Sequence, residues 1–293
     1  RTLIFKEDGQ TLAALATLAD GVAGFSWTPA DWGERLITVE FAGEGFYLPS
    51  KSEVRLSSFM PTILVFLDPP AEGDVSTPIP LLLELRDILD QPLLGGDVTL
   101  LEDGLPALTG TSDAQGRKLF SYGPFEGGNY HLTARYEGGG FLLPSEANLD
   151  IKVFLPTTVR ILEPHGGPDS RQISLTPLAV QGDLADIHNR PVVGQKVVVT
   201  LDGAAGPQEM TTKGIGEFAG NIEPRLPGEQ TLKIAFPGGG FFRPSEDEIT
   251  VPVFMPVVLD PISPDRATVG GPPELGATVR NFLDKAGHAG GVA

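Results

Sequence analysis

Phe41-Ala-Gly-Glu-Gly-Phe-Tyr-Leu-Pro-Ser50 is spelled three times in this chain. It returns as Tyr136-Glu-Gly-Gly-Gly-Phe-Leu-Leu-Pro-Ser145 and as Phe236-Pro-Gly-Gly-Gly-Phe-Phe-Arg-Pro-Ser245. Gly45, Phe46 and Pro49 in the first copy match Gly140, Phe141 and Pro144 in the second and Gly240, Phe241 and Pro244 in the third. A trailer follows each copy at the same distance: Phe59-Met60-Pro61, Phe154-Leu155-Pro156 and Phe254-Met255-Pro256. The copies open at residues 41, 136 and 236, so they are spaced by 95 and then 100 residues. Matched decapeptides with matched trailers mark an internal repeat, and the repeat length is that of one compact domain.

Working outward from the second copy, residues 62–156 read as seven short strands separated by turn signals. They are Thr62–Phe66, Ile79–Arg86, Asp97–Leu101, Ala107–Gly110, Lys118–Tyr122, Tyr130–Tyr136 and Leu149–Phe154. Leu132, Ala134 and Tyr136 alternate onto one face, and no stretch carries a 3.6-residue apolar period. Short alternating strands with frequent turns predict a β-sandwich. Residues 157–256 repeat the pattern, with strands predicted at Val159–Leu162, Ile173–Val180, Val197–Leu201, Gln208–Thr211, Glu217–Asn221, Thr231–Phe236 and Ile249–Val253.

Residues 1–61 begin inside the pattern. Arg1-Thr-Leu-Ile-Phe-Lys-Glu-Asp-Gly9 matches the third strand and turn at Asp97–Gly104. Asp20–Phe25 matches the turn and fifth strand at Asp113–Phe120, and Ile37, Val39 and Phe41 match Leu132, Ala134 and Tyr136. The first two strands have no counterpart there. Residues 257–293 carry them instead: Val257-Val-Leu-Asp-Pro261 opens a unit, and Val279-Arg-Asn-Phe-Leu-Asp resembles Leu85-Arg-Asp-Ile-Leu-Asp. The two pieces, 61 and 37 residues long, add to 98, against 95 and 100 for the intact units. The expected organisation is therefore a partial domain at 1–61, whole domains at 62–156 and 157–256, and at 257–293 the two strands that 1–61 lacks.

A two-strand piece buries no core by itself, and the larger piece is left with an open apolar face. Val257, Leu259, Leu275, Val279, Phe282 and Leu283 are the apolar residues at stake. Burying each contributes roughly 1.5–3 kcal/mol, so the sum, on the order of 10 kcal/mol, rivals the stability of a whole domain. Completion is expected either from the next copy, head to tail, through Leu3, Phe5, Val257, Leu259, Val279 and Phe282, or from adjoining domains of a longer polypeptide. The proline-stiffened linkers leave little room for the chain to close on itself.

The Gly-turn, strand, Tyr/Phe-x-Gly-x-Gly-Phe-x-x-Pro-Ser and final-strand pattern resembles the bacterial and archaeal Ig-like repeats of cell-surface proteins. The likeness is clearest at 41–50, 136–145 and 236–245 and covers the whole chain. It implies tandem Ig-like Greek-key sandwiches in an extracellular setting. Such modules serve as spacers in adhesins, surface-layer proteins, pilus-like fibres and enzyme stalks. Lys–Asn cross-links occur among them, but no spacing here singles out a pair.

Composition narrows the functions further. The chain has 293 residues, no cysteine and a net charge of −17. Disulfides and thiolate metal sites are excluded, and an acidic chain lacks the basic face that a nucleic acid requires. No apolar run approaches the roughly 20 residues of a spanning helix. His131, His165, His188 and His288 have no ligand spacing, and no Gly-x-Ser-x-Gly elbow is present. Asp20 and Asp113 read as turn carboxylates. The Gly-Gly-Gly runs open no helix and so read as strand-end loops, and the aromatic pairs beside them either pack a junction or face a glycan. The expectation is a structural protein without catalysis or cofactor, whose partner is itself or a neighbouring Ig-like domain. The filament reading stands beside a stalk of a surface adhesin or surface-layer protein and spacer domains of a surface enzyme.

Overall fold

The computed structural model describes residues 1–166, 172–259, 269 and 276–281. Among these the chain is all-β, with no helix. Its contacts define two bodies. One comprises Arg1–Gly73, Thr77–Pro124 and Asn129–Lys152, and the other Asp74–Ser76, Phe125–Gly128 and the chain from Val153 on.

In the first body, β1 (Thr2–Glu7), β2 (Gln10–Ala16), β3 (Gly33–Phe41) and β4 (Ser50–Ser58) make one sheet in the order β2-β1-β3-β4. The central repeat follows as β5 (Thr62–Leu67), β6 (Glu72–Asp74), β7 (Ile79–Asp87), β8 (Asp97–Glu102), β9 (Leu105–Thr111), β10 (Arg117–Tyr122), β11 (Gly128–Tyr136) and β12 (Ser145–Phe154). Its sheets run β10-β7-β5 and β6-β12-β11-β8-β9. The first, second and fifth strands of the repeat thus share one sheet, and the third, fourth, sixth and seventh the other. This is a Greek-key sandwich of the Ig-like type, with the fourth strand paired to the third. Alternation sends Leu81, Leu83 and Leu85 of β7 and Val98, Leu100, Leu132 and Ala134 of the opposing sheet into the core, none more than 1% exposed.

The second body repeats the plan with β13 (Thr157–Glu163), β14 (Gln172–Ile173), β15 (Leu178–Asp186), β16 (Lys196–Leu201), β17 (Gln208–Thr211), β18 (Glu217–Ile222), β19 (Gly228–Phe236) and β20 (Ser245–Phe254). The sheets are β13-β15-β18 and β14-β20-β19-β16-β17. Val180, Leu184, Val197, Val199, Leu232, Ile234 and Val251 are fully buried between them. β21 (Val257–Leu259) and β22 (Val279–Asn281) form a separate antiparallel pair.

Three details depart from the sequence reading. No strand forms over Asp20–Phe25. Its counterpart β10 bonds only to β7, and residues 1–61 contain no β7 equivalent, so the segment has no partner strand among the described residues and makes only turn bonds with Leu18. The strand predicted at Ile173–Val180 is instead a short edge, β14, and a strand displaced to Leu178–Asp186. Leu175 takes a φ of +68° and closes a turn between them. The short edge strands β6 and β14 have no sequence signal of their own.

Candidate assembly surfaces

The sheet of residues 1–61 matches half of a sandwich. Its order β2-β1-β3-β4 is that of β9-β8-β11-β12, strand for strand. Leu3 and Phe5 stand where Val98 and Leu100 stand, and Ile37, Val39 and Phe41 where Leu132, Ala134 and Tyr136 stand. The central residues are buried; the five in the first sheet are only half-buried, and Leu56, the counterpart of buried Ile151, is exposed. Phe25 leans on Phe5 with ring centroids 5.1 Å apart, a partial cover where Phe120 would complete a strand.

The pair β21–β22 matches the other half. Val257 pairs with Asn281, Val258 with Arg280 and Leu259 with Val279. The same register joins Thr62 to Asp87, Ile63 to Arg86 and Leu64 to Leu85, and Thr157 to Asp186 through Val159 to Leu184. Leu259 is 67% exposed and Val279 61%, whereas Leu64, Leu85, Val159 and Leu184 are at most 4% exposed. Of the sequence-predicted interface, Leu3, Phe5, Val257, Leu259 and Val279 therefore present apolar surface. Leu275, Phe282, Leu283 and His288 lie outside the described residues.

The signature decapeptide is a hairpin tip. Gly139 and Leu142 exchange backbone hydrogen bonds of 3.1 and 2.9 Å around the two-residue loop Gly140-Phe141, as do Glu44 with Tyr47 and Gly239 with Phe242. Gly140 has a φ of +58° while Phe141 stays at negative φ, the II′ pattern that matches strand twist. The preceding glycine is required by space as well: a Cβ on Gly138, at φ +81°, would stand 2.6 Å from the Leu142 carbonyl and 3.0 Å from Pro144 N.

These tips hold the trailers. In the first body the Met60 N–H donates to the Phe141 carbonyl (2.8 Å) and the Leu143 N–H donates to the Met60 carbonyl (2.9 Å). In the second body the Leu155 N–H donates to the Phe241 carbonyl (2.7 Å) and the Arg243 N–H to the Leu155 carbonyl (2.9 Å). The Thr62 hydroxyl donates to the Leu143 carbonyl (2.8 Å) beside Ser145 Oγ, and the Thr157 hydroxyl to the Arg243 carbonyl (2.8 Å) beside Ser245 Oγ. Met60 and Leu155 are buried in consequence. Sequence reasoning registered tips and trailers as repeats but not as partners, because main-chain bonds leave no side-chain spelling. The aromatic rings pack the junctions: Phe59 and Trp32 lie 5.9 and 6.2 Å from Phe141.

A charge clamp adds to the second body. The Arg190 guanidinium donates to both oxygens of Glu126 (2.7 and 2.8 Å) and to Asp186 Oδ2 (2.8 Å). His188 stacks on Phe125 at 4.3 Å and donates from Nε2 to its carbonyl (2.9 Å). The Arg190 hydrogen bond holds the Glu126 carboxyl below its ordinary value. Burial pushes Asp186 up, but backbone and side-chain bonds from Arg190 and the His188 N–H outweigh it and leave the carboxyl lowered. Both folded values lie under the unfolded ones. Their stabilisation is complete above the unfolded carboxylate pKa and is lost as pH falls through the folded values. Thermal melts from neutral pH down to about pH 3 should show this loss, and Glu126→Gln with Asp186→Asn should flatten that part of the profile.

The remaining candidates resolve into ordinary contacts. Asp20 accepts from the Val22 N–H (3.0 Å), and Asp113 from the Gln115 and Arg117 N–H groups (2.9 and 2.8 Å), so both close turns. His131 pairs with Asp150 (2.7 Å) and His165 with Glu163 (2.9 Å). Among the described residues no three potential metal ligands gather, and no helix is long and apolar enough to cross a membrane.

No protein-family profile and no curated protein sequence matches the chain. Solved structures do. An ICAM-5 D1–D4 ectodomain fragment aligns at 15% identity and a TM-score of 0.40, over 79% of this chain and 64% of that one. FdeC, an Escherichia coli adhesin, aligns at 14% and 0.35, over 76% and 74%. Invasin, a bacterial integrin-binding protein, aligns at 16% and 0.34, over 69% of this chain and 42% of its own. At these values the functions of those proteins stay with them.

Proposed function

We propose that this chain is a structural, non-catalytic subunit of an extracellular filament or surface appendage. Copies join head to tail: residues 257–293 of one complete the sandwich begun by residues 1–61 of the next. The observation that carries this reading is the register of β21–β22, which reproduces that of the first two strands in both whole repeats. The sheet β2-β1-β3-β4 lacks those two strands and presents an apolar face in their place. Strand addition of this kind is head-to-tail and need not close, so it extends into a fibre.

Sedimentation of the whole chain against a chain lacking residues 257–293 tests the proposal. The whole chain should form a concentration-dependent ladder, and the shortened chain should remain monomeric and soluble. A synthetic peptide of residues 257–293 should bind the shortened chain without restoring polymerisation. A whole chain that stays monomeric, or a shortened one that still assembles, overturns the reading.

A second reading is a stalk of a longer surface protein, with adjoining modules in place of neighbouring copies. It is favoured by the third trailer, Phe254-Met255-Pro256, which leads into β21 as Phe59-Met60-Pro61 leads into β5. In that case the whole chain is monomeric in solution, and longer natural sequence on either side supplies the missing strands.

A further inference from the structure

We propose that the first signature tip, Glu44–Leu48, is a docking clip for the segment Phe254-Met255-Pro256-Val257 of a second copy of this chain. The proposal rests on the head-to-tail reading, which says whose segment arrives, but it concerns a contact separate from strand completion.

Two occupied clips show the geometry. Each holds the middle residue of a Phe-Met/Leu-Pro trailer by two main-chain bonds. One runs to the carbonyl of the tip phenylalanine and the other comes from the N–H two residues on. The first tip has the same backbone: Gly43 and Gly45 have φ of +89° and +61°, against +81° and +58° for Gly138 and Gly140. Glu44 and Tyr47 close it by the same pair of bonds, 3.1 and 3.0 Å. Yet among the described residues neither the Phe46 carbonyl nor the Leu48 N–H makes a hydrogen bond. Phe46 is fully exposed and Leu48 85% exposed, while Phe141 and Phe241 are half-buried. Arg1 covers the Tyr47 ring at 3.8 Å, a contact with the side chain.

The third trailer is the matching ligand. Met255 is half-buried where Met60 and Leu155 are 8% and 6% exposed, and its N–H and carbonyl make no hydrogen bond among the described residues. By analogy with the two occupied clips, the Met255 N–H donates to the Phe46 carbonyl, and the Leu48 N–H donates to the Met255 carbonyl. The chain thus carries three clips and three trailers, offset by one repeat. The surplus clip precedes the first trailer and the surplus trailer follows the last clip.

One departure supplies the test. Thr62 and Thr157 add a hydroxyl bond to the clip carbonyl beside Ser145 and Ser245. Ser50 is in place in the first clip, but Val257 occupies the threonine position and has no hydroxyl to give. Val257→Thr in the whole chain should therefore tighten self-association several-fold, up to about tenfold for a bond of ordinary strength. Ser50→Ala should leave the Val257 chain nearly unchanged and remove part of the gain in the Val257→Thr chain, a non-additivity that a general effect on solubility does not produce. Met255→Asp should weaken association by about tenfold or more, since it places a charge where Met60 and Leu155 are buried. Dissociation constants from sedimentation equilibrium read all four. Self-association that ignores Val257→Thr and Met255→Asp overturns the clip and leaves strand completion standing. Absence of self-association in every variant overturns both.

Discussion

Leu132→Ala should destabilise the central repeat by about 2–5 kcal/mol, whereas Ile37→Ala, the same position in residues 1–61, should cost about 1 kcal/mol or less. The two side chains occupy equivalent places on β11 and β3, pointing to the inner face of their sheets. Leu132 is fully buried beneath the opposing sheet β10-β7-β5, so cutting it back leaves a cavity that the neighbours fill only in part. Ile37 is half-buried, and water already reaches the space its methyls would vacate. Native-state hydrogen exchange is the suitable measurement, because it reads each sheet separately where a single melting curve would blend several transitions. Equal losses at the two positions would mean that the first sheet is covered in solution even in the isolated chain. When assembly is permitted, the cost at Ile37 should rise toward that at Leu132.

Gly138→Ala is the second large effect, at about 2–4 kcal/mol, of which left-handed backbone strain supplies roughly 1–2 kcal/mol. The rest is contact: the new Cβ meets the Leu142 carbonyl at 2.6 Å and Pro144 N at 3.0 Å, both backbone or ring atoms that no rotamer change can move aside. Gly140→Ala meets nothing within 4 Å and should cost only the strain. The clip is distorted in the first variant, so the Met60 amide should lose exchange protection along with the fall in stability. A Gly138→Ala chain that keeps Met60 protected would show that the tip reshapes without releasing the trailer. Gly43→Ala should be milder, since its closest contact is 3.0 Å.

Alternation made the sandwiches legible. Leu132, Ala134 and Tyr136 read as alternating onto one face; they are buried, as are Leu232, Ile234 and Phe236 on the matching strand of the next repeat. Spacing between repeats also aligned Ile37, Val39 and Phe41 with Leu132, Ala134 and Tyr136, and they fall on β3 at the places that the latter hold on β11. What failed was local spelling without a partner. Asp20–Phe25 is written like Asp113–Phe120, yet strand formation depends on the hydrogen bonds that β7 provides, and these are not encoded in the segment itself. Likewise Ile173 and Leu175 look like alternating strand residues, but Leu175 sits in the left-handed region, where its N–H donates to the Pro224 carbonyl. The clips were illegible for a related reason: their bonds come from the backbone, and the threonine that reinforces two of them looks like any other strand residue.

The irregular span between β2 and β3 has a practical corollary. Both tryptophans of the chain, Trp27 and Trp32, fall within it. Intrinsic indole emission therefore reports on this irregular span and, through Trp32 against Phe141, on the hairpin tip of the central repeat, an optical gauge that requires no added label.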